Sequence, residues 1–405
     1  MTNIDTVLRT KSGVFVRRDE GIGLLAYSPY TGLSYAVPEG DAEKVLKWLA
    51  LRGKVELPIA YERTLGVGWK TPFHRAKHTI PHLLPDLKAW HNVPSLSRPI
   101  TINWFITGRC PLACRYCYAE ELMRNEDSEP SADQIAEIAD SILALNPLVV
   151  VLTGGDPLFS PRTQAAAERL RGKVGLVLDT SGYTFKQAHL DFFKRDNISV
   201  RISFDSEIPR VNQFQRPLYS KYTALVKSGV STLEAAVNTL EKCLQNGITV
   251  TVQTVATKRT VNDLPAMGDK LFRLGLRSWR VLRVIPSKAS IEGYRLLEQE
   301  LPTRKLRVKD KAYAFVFEKL LDLHRATWRS GMALQVTAND IPNSVILVSP
   351  DGNFFTESNI KIEKLLIDPQ RPKRPRVDQI HSNVNMQAHA DRYLNITSQV
   401  YSKED

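Results

Sequence analysis

The sequence predicts an α/β protein whose largest part is an open, partial (β/α)6 barrel. Six apolar, β-branched segments recur between about residues 100 and 340, and stretches with helical signals separate them. Repeated strand–helix units favour parallel strands joined by right-handed crossovers. Six units suit an open partial barrel better than a closed barrel of eight units. We therefore divide the chain into a small N-terminal β3α domain of winged-helix-like type (1–95), the barrel (96–340) and a C-terminal hairpin extension (341–405).

The barrel prediction depends on six strands and on the caps of the helices between them. The strands are 101–106, 148–153, 174–180, 198–204, 249–255 and 279–284. Their apolar composition is typical of strands covered by helices on at least one face. Ser131 with Gln134, and Ser231 with Glu234, have the spacing of capping boxes, which predicts helices starting after Ser131 and Ser231.

The N-terminal region is predicted to contain three short strands at 13–18, 23–28 and 32–37. Turn-forming residues separate these apolar segments. Asp41 is placed to cap a helix over 42–52. Too little apolar surface is available here for a large independent core.

The C-terminal region begins with two apolar runs on either side of Pro350–Gly352, which predicts a hairpin within 343–358. After residue 370 the chain is polar and basic, and we expect a mobile tail there. The basic run from Arg371 to Arg376 is spaced by prolines, and we interpret it as a solvated linker.

Bulk composition indicates a cytoplasmic globular protein. The 405 residues carry a formal net charge of +12, which favours an acidic partner such as a peptide, a protein or RNA. The usual signatures of an RNA-binding module are not found, so a nucleic-acid partner is disfavoured. The chain lacks an apolar run of roughly 18 residues, the length needed to cross a bilayer, so no membrane partner is expected. The N-terminus also lacks the apolar core of a secretory signal.

Three of the four cysteines form a Cys-x₃-Cys-x₂-Cys triplet, Cys110, Cys114 and Cys117, directly after the first barrel strand. Zinc normally takes four ligands, whereas three thiolates can hold three irons of a [4Fe–4S] cluster and leave the fourth iron open. Ligands of α/β folds bind at this end of parallel strands. A zinc site and an accidental spacing are the alternatives. Cys243 lies far away at helical spacing from Leu240, which predicts a core position.

With Tyr116 as the aromatic residue before the third cysteine, this loop resembles the signature of the radical S-adenosylmethionine (SAM) superfamily. The resemblance implies a six-unit partial barrel and a [4Fe–4S] cluster whose open iron binds the amino and carboxylate groups of SAM. It implies that Tyr116 packs near the adenine. It also implies reductive cleavage of SAM to a 5′-deoxyadenosyl radical, which removes a hydrogen atom from the substrate.

The second predicted strand ends in the sequence TGGDP, with Gly154, Gly155 and Asp156. Two glycines allow a close backbone approach, and an acidic side chain suits an ammonium group. The segment resembles the family's Gly-Gly-Glu element, which holds the SAM amino group, with aspartate in place of glutamate. An ordinary turn is the alternative.

Polar residues also end the later strands, and the resemblance implies that they contact SAM. The candidates are Thr180, Ser181, Ser203, Asp205 and Gln253, with Ile285 as an apolar residue over the adenine. Helix caps or loop hydrogen bonds are the alternatives for these polar side chains. No side chain is assigned as a catalytic acid or base.

The flanking regions indicate the substrate class. The N-terminal region resembles the peptide chaperone of pyrroloquinoline quinone biosynthesis, which binds a leader peptide as an added strand. The C-terminal hairpin resembles the extension of peptide-modifying family members, but no cysteine follows Cys243, so a single cluster is expected. These resemblances imply a maturase of a ribosomally synthesised peptide or protein, served by an external electron donor. Modification of RNA or a small molecule is one alternative, and a non-catalytic iron–sulfur scaffold or redox sensor is another.

Overall fold

The chain is described here as a computed structural model. The structure describes residues 7–9, 13–19, 23–29, 32–37, 96–117, 129–225, 229–284, 306–328, 331–336, 344–357, 362–364 and 384–394. The predicted helix over 42–52 and the candidate Ile285 lie outside the described residues.

Seven parallel strands form the body of a large mixed sheet. They are β5 (Thr101–Thr107), β6 (Val149–Gly154), β7 (Gly175–Thr180), β8 (Ile198–Ser203), β9 (Val250–Ala256), β10 (Ser278–Arg283) and β11 (Ala333–Val336). They are neighbours in the order of the sequence, from β5 to β11, as successive strand–helix units require. The six predicted barrel strands are confirmed. The seventh strand, β11, was missed because it has only four residues.

Helices connect these strands and cover the sheet. They are α1 (Ala132–Ala144), α2 (Arg162–Leu170), α3 (Ala188–Asp196), α4 (Pro209–Gln215), α5 (Thr232–Gln245), α6 (Leu264–Arg273) and α7 (Asp310–Leu323). The predicted capping box at α1 is confirmed, because Ser131 Oγ accepts from Gln134 N and Gln134 Oε1 accepts from Ser131 N. At α5, Ser231 Oγ accepts from Glu234 N at 3.1 Å. Cys243 is fully buried in the core on α5, as predicted.

The N-terminal segment forms its own antiparallel sheet. It contains β1 (Leu8–Arg9), β2 (Phe15–Asp19), β3 (Gly23–Ser28) and β4 (Leu33–Val37), in that order. The three predicted strands are confirmed, and the two-residue β1 extends the edge of β2.

This N-terminal sheet packs against the amino ends of the barrel strands. Tyr27 Oη donates to Ser199 Oγ in β8 at 2.9 Å, and a Cβ on Gly175, the first residue of β7, would lie 2.1 Å from Tyr27 Cδ1. The buried Arg17 side chain donates to the backbone oxygens of Pro99 and Asn146, which precede β5 and β6. Phe15, Leu25 and Tyr27 belong to the same apolar core as the barrel. The N-terminal sheet therefore lies at the opposite end of the strands from the cysteine loop.

The predicted C-terminal hairpin is confirmed, and it extends the barrel sheet. Strand β12 (Ile346–Val348) pairs with β13 (Phe354–Glu357), which pairs with β14 (Ile362–Lys364). Strand β12 also lies parallel to β5, with Ile346 opposite Ile102. The hairpin thus becomes part of the sheet on the side of the cysteine-bearing strand.

The expectation of a mobile tail is wrong for residues 384–394, which contain helix α8 (Met386–Leu394). His389 is fully buried, and its Nε2 accepts from Ile100 N at 3.0 Å and from Thr101 N at 3.3 Å. Tyr393 Oη accepts from Asn103 Nδ2 at 3.1 Å. Met386, Ala390 and Tyr393 recur at helical spacing and join the core, an apolar stripe that the polar composition of this region concealed.

Among the described helices, none has the length and apolar character that a transmembrane segment requires.

Candidate functional site

The cysteine loop leaves β5 and is held by the last residues of α4 and by the segment that follows that helix. Ala113 N donates to Pro217 O at 2.9 Å, and Tyr219 N donates to Pro111 O at 2.8 Å. Arg115 donates two hydrogen bonds to the end of α4. Its backbone N donates to Gln215 O at 3.0 Å, and its Nε donates to Phe214 O at 2.8 Å. These four hydrogen bonds fix the backbone of the loop, so its cysteines hold defined positions.

The three predicted thiols come together in this loop. Cys110, Cys114 and Cys117 are partly buried. Burial raises the pKa of the Cys110 thiol well above its usual range, and the neighbouring Cys114 and the Asp156 carboxylate raise it further. Binding of a metal removes such protons, because a coordinated thiol is deprotonated outright. Three thiols in one rigid loop fit the chemistry of an iron–sulfur cluster.

The geometry differs from that of a single-ion site. In the described part of the chain, no three histidine, cysteine or acidic side chains are placed to bind one metal ion. A cubane cluster binds each thiolate on a different iron, so its ligands need no common centre.

The glycines of the second motif let β6 end against the cysteine loop. A Cβ on Gly155 would lie 2.1 Å from Arg109 O and 3.0 Å from Cys110 N, and one on Gly154 would lie 2.6 Å from Thr107 O. Gly154 also has φ +123°, which disfavours any side chain. The close approach is thus made to the backbone that carries Cys110. Gly155 N donates to Thr107 O and Asp156 N to Arg109 O, which completes this junction.

Asp156 joins the ends of β6 and β7. Its carboxylate is almost fully buried and accepts from Leu158 N, Thr180 Oγ1, Ser181 N and Ser181 Oγ. A carboxylate offers about four lone-pair sites, so these donors satisfy it. The structure therefore brings three of the predicted SAM contacts, Asp156, Thr180 and Ser181, into one internal network beside Cys110.

A second buried network surrounds the aromatic residue of the cysteine loop. Tyr116 donates from its hydroxyl to Asp205 Oδ2 and accepts from Arg216 Nη1 at 2.6 Å. Asp205 is fully buried, and its Oδ1 accepts from Val255 N at 2.9 Å at the end of β9. Burial raises the pKa of Asp205, while Arg216 and the Tyr116 hydroxyl oppose that shift. The predicted residues Tyr116 and Asp205 are thus direct partners across the carboxyl ends of β5, β8 and β9.

Sequence reasoning missed Arg216, the cation at the centre of this network. The residue is 8% exposed and follows α4. Burial alone lowers its pKa, but Cys114, Tyr116 and Asp205 together raise the pKa well above its usual value, so the guanidinium stays charged. The same charge opposes the rise that burial causes in the pKa of Cys114. With 55 lysines and arginines in the chain, nothing local marked this one.

The remaining candidates lie along the sheet. Ser203 and Gln253 are half-buried at paired positions of β8 and β9, and Gln253 Oε1 accepts from Arg280 Nη1 at 3.2 Å. Val284, the neighbour of Ile285, is buried beside Tyr116 and Leu306. The described residues that pack against Tyr116 here are therefore apolar.

Residues 104–271 match the family model described as "Radical SAM superfamily", a segment that runs from β5 through the cysteine loop into α6. The cofactors of this family are a [4Fe–4S] cluster and SAM.

Proteins of similar sequence differ in their named activities. A probable GTP 3',8-cyclase of Methanococcus maripaludis is 25% identical over 229 residues, which cover 51% of this chain and 70% of the cyclase. The mycofactocin maturase MftC of Mycobacterium tuberculosis is 26% identical over 195 residues, which cover 47% of this chain and 46% of the maturase.

Solved structures share the fold. SuiB of Streptococcus suis bound to SAM has a TM-score of 0.54 at 13% identity, covering 86% of this chain and 82% of SuiB. A structure of SuiB with its precursor peptide SuiA also has a TM-score of 0.54, at 12% identity.

Proposed function

We propose that this chain, whose residues 104–271 match the radical SAM superfamily, acts on a ribosomally synthesised peptide or protein. The observation that carries this proposal is the antiparallel N-terminal sheet, which Tyr27 and Arg17 hold against the barrel through hydrogen bonds. Such sheets bind an extended peptide as an added strand. SuiB with its precursor peptide and the maturase MftC support the same substrate class.

The cluster ligands in this proposal are Cys110, Cys114 and Cys117, since their loop is fixed and their thiols lie together. When bound, the cofactors supply reductive cleavage of SAM to methionine and a 5′-deoxyadenosyl radical, which takes a hydrogen atom from the substrate. The electron comes from an external donor, and a reducing cytoplasm would keep the three thiols available.

The residues around the loop hold SAM in this proposal. Arg216 places a fixed positive charge beside Cys114 and would bind the carboxylate of SAM. Tyr116 is held by Asp205 and Arg216, so its ring is set in position beside the apolar Val284, which suits an adenine. Asp205 therefore acts through Tyr116.

The second network shapes the other side of the pocket. Because Asp156 is satisfied by Thr180, Ser181 and Leu158, its part is to fix the loop of Gly154 and Gly155 against the cysteines. The backbone of that loop is then the partner for the SAM amino group.

Two partly exposed side chains would bind the ribose of SAM in this proposal. Ser203 and Gln253 are half-buried, and their hydroxyl and amide groups suit the ribose hydroxyls.

A nucleotide is the second candidate substrate, favoured by the similarity to the GTP 3',8-cyclase. A non-catalytic iron–sulfur scaffold is a third reading, in which SAM is never cleaved.

Anaerobic holoenzyme with SAM and dithionite, incubated separately with candidate precursor peptides and with GTP, tests the substrate class. A peptide mass change that requires SAM supports the proposal. A new nucleotide product, with unchanged peptides, contradicts it.

A further inference from the structure

The inner face of the barrel sheet carries charged and polar side chains on strands β8 to β11. Trp279 and Val281 of β10 are fully buried, and Trp279 packs edge-on against Trp328, with ring centroids 5.8 Å apart. A Cβ on Gly268 of α6 would touch both tryptophans, so this side of β10 faces the helices. Since side chains alternate across a strand, Arg280 projects to the other side, the inner face of the barrel.

Arg280 belongs to a row of polar residues that crosses four strands. Ser203 of β8 pairs in register with Gln253 of β9, and Gln253 pairs with Arg280, which pairs with Gln335 of β11. We call these four residues the inner row. Neighbouring strands lie about 4.8 Å apart, so the inner row spans about 14 Å. It begins at Ser203, the last residue of β8, on the side where the cysteine loop lies.

One charge of the inner face has no described counterion. Arg201 of β8 pairs with Asp179 of β7, with Nη2 2.9 Å from Oδ2, so these two charges cancel. Arg280 donates from Nη1 to the neutral Gln253, and its buried Nε has no partner among the described residues. Gln335 Oε1 is likewise buried without a described partner. Arg280 therefore keeps an unused donor, Nε, whereas the unused group of the neighbouring Gln335 is an acceptor.

The surroundings of Arg280 favour an anion. Burial lowers its pKa to about 9, Arg201 and Arg392 lower it as well, and Tyr393 and Asp179 act in the opposite direction. The guanidinium remains charged at neutral pH, but its charge is poorly compensated. Arg392 lies on α8 and donates to Ser344 Oγ at 3.2 Å. An incoming anion would relieve this excess of positive charge.

We propose that Arg280, held in place by its hydrogen bond to Gln253 Oε1, binds a carboxylate of the peptide substrate on the inner face of the barrel. The proposal rests on the proposed function and adds a specificity determinant to it. The planar fork of a guanidinium suits a planar, singly charged carboxylate. A triphosphate carries several negative charges, and the described inner face offers too few cations to neutralise them. The carboxylate belongs either to an aspartate or glutamate side chain or to a free C-terminus.

Equilibrium binding to the full-length holoprotein, loaded with cluster and SAM but without reductant, tests this inference. Four probes are compared by saturation-transfer NMR: N-acetyl-aspartyl methylamide, N-acetyl-asparaginyl methylamide, N-acetyl-alanine and GTP. We expect the aspartyl probe or the free acid to bind at least about tenfold more tightly than the neutral asparaginyl probe. Which of these two binds identifies the source of the carboxylate.

Variants assign the binding to Arg280. Arg280→Gln should abolish the preference for the charged probe, and Arg280→Lys should keep part of it. Arg273→Gln is the matched control, because Arg273 is an exposed arginine of α6 whose loss removes the same charge. Thermal unfolding of each variant shows whether the fold is retained.

The outcomes separate this inference from the proposed function. Equal binding of the aspartyl and asparaginyl probes, or an unchanged preference in Arg280→Gln, overturns the carboxylate site. Tighter, Arg280-dependent binding of GTP overturns it in favour of a nucleotide. The binding measurement requires no radical chemistry. It can therefore be interpreted even if the peptide-modification assay gives no product.

Discussion

Replacement of Gly155 by alanine perturbs the cysteine loop through a single methyl group. The new Cβ would lie 2.1 Å from Arg109 O and 2.4 Å from Arg109 C, against 3.4 Å or more in an ordinary contact. The opposing atoms are backbone, so no side-chain rotation relieves the collision. The backbone next to Cys110 must move, and overpacking of this kind costs about 1–3 kcal/mol or more.

We therefore expect Gly155→Ala to lose stability and cluster together. Iron and sulfide per chain after reconstitution should fall well below the wild-type value, and the unfolding midpoint in urea should fall with them. The assay is anaerobic reconstitution followed by iron analysis and the absorbance of the cluster.

Gly172→Ala is the control for the Gly155 variant. Gly172 has φ +76°, so alanine there is strained, but the Cβ would meet no atom within 4 Å. This variant should lose about 1 kcal/mol of stability and keep a full cluster. If Gly155→Ala also keeps a full cluster and cleaves SAM at the wild-type rate, the close contact between the β6 loop and the cysteine loop has no role in cluster binding.

Three further predictions concern the buried polar groups. Tyr116→Phe removes the hydroxyl between Asp205 and Arg216, so the free energy of unfolding in urea should fall by about 1–3 kcal/mol, and an unchanged value would contradict the network. Arg216→Gln leaves the Asp205 carboxylate buried without its cation, which should cost about 3–5 kcal/mol and weaken SAM binding by calorimetry, with partial recovery in Arg216→Lys. His389 has its pKa lowered to about 3 by burial, so the unfolded chain takes up the proton first as pH falls below 6.5. Stability that is present above pH 6.5 should therefore decrease by about 2 kcal/mol at pH 5, and denaturation of His389→Gln should show a smaller pH dependence.

The sequence allowed the places of the cysteine loop and of the glycine turn in the fold to be predicted, because the residues of each lie close together in the chain. Cys110, Cys114 and Cys117 stand within one loop, and Gly155 follows directly from the next strand. Strand and helix periodicity located six barrel strands, since each has several apolar residues in succession. Local patterns of this kind need no knowledge of tertiary contacts.

Features that depend on contacts distant in sequence were missed. Arg216 meets Tyr116 across 100 residues, and His389 meets Ile100 across 289 residues. Helix α8 lies in a polar segment whose apolar stripe is only a few residues long, so composition suggested a mobile tail. The parallel pairing of β12 with β5 joins two separate regions of the chain, and no hairpin pattern contains that information.

The central claim is that Cys110, Cys114 and Cys117 hold a cluster that enables cleavage of SAM. The most direct measurement is mass spectrometry of 5′-deoxyadenosine after anaerobic incubation of reconstituted protein with SAM and dithionite, with and without candidate peptide. Wild-type protein and Cys243→Ala should form the product, because Cys243 is a core residue on α5, whereas Cys114→Ala should form none. Product formation at the wild-type rate by Cys114→Ala, or its absence from fully loaded wild-type protein under every condition, would contradict the account.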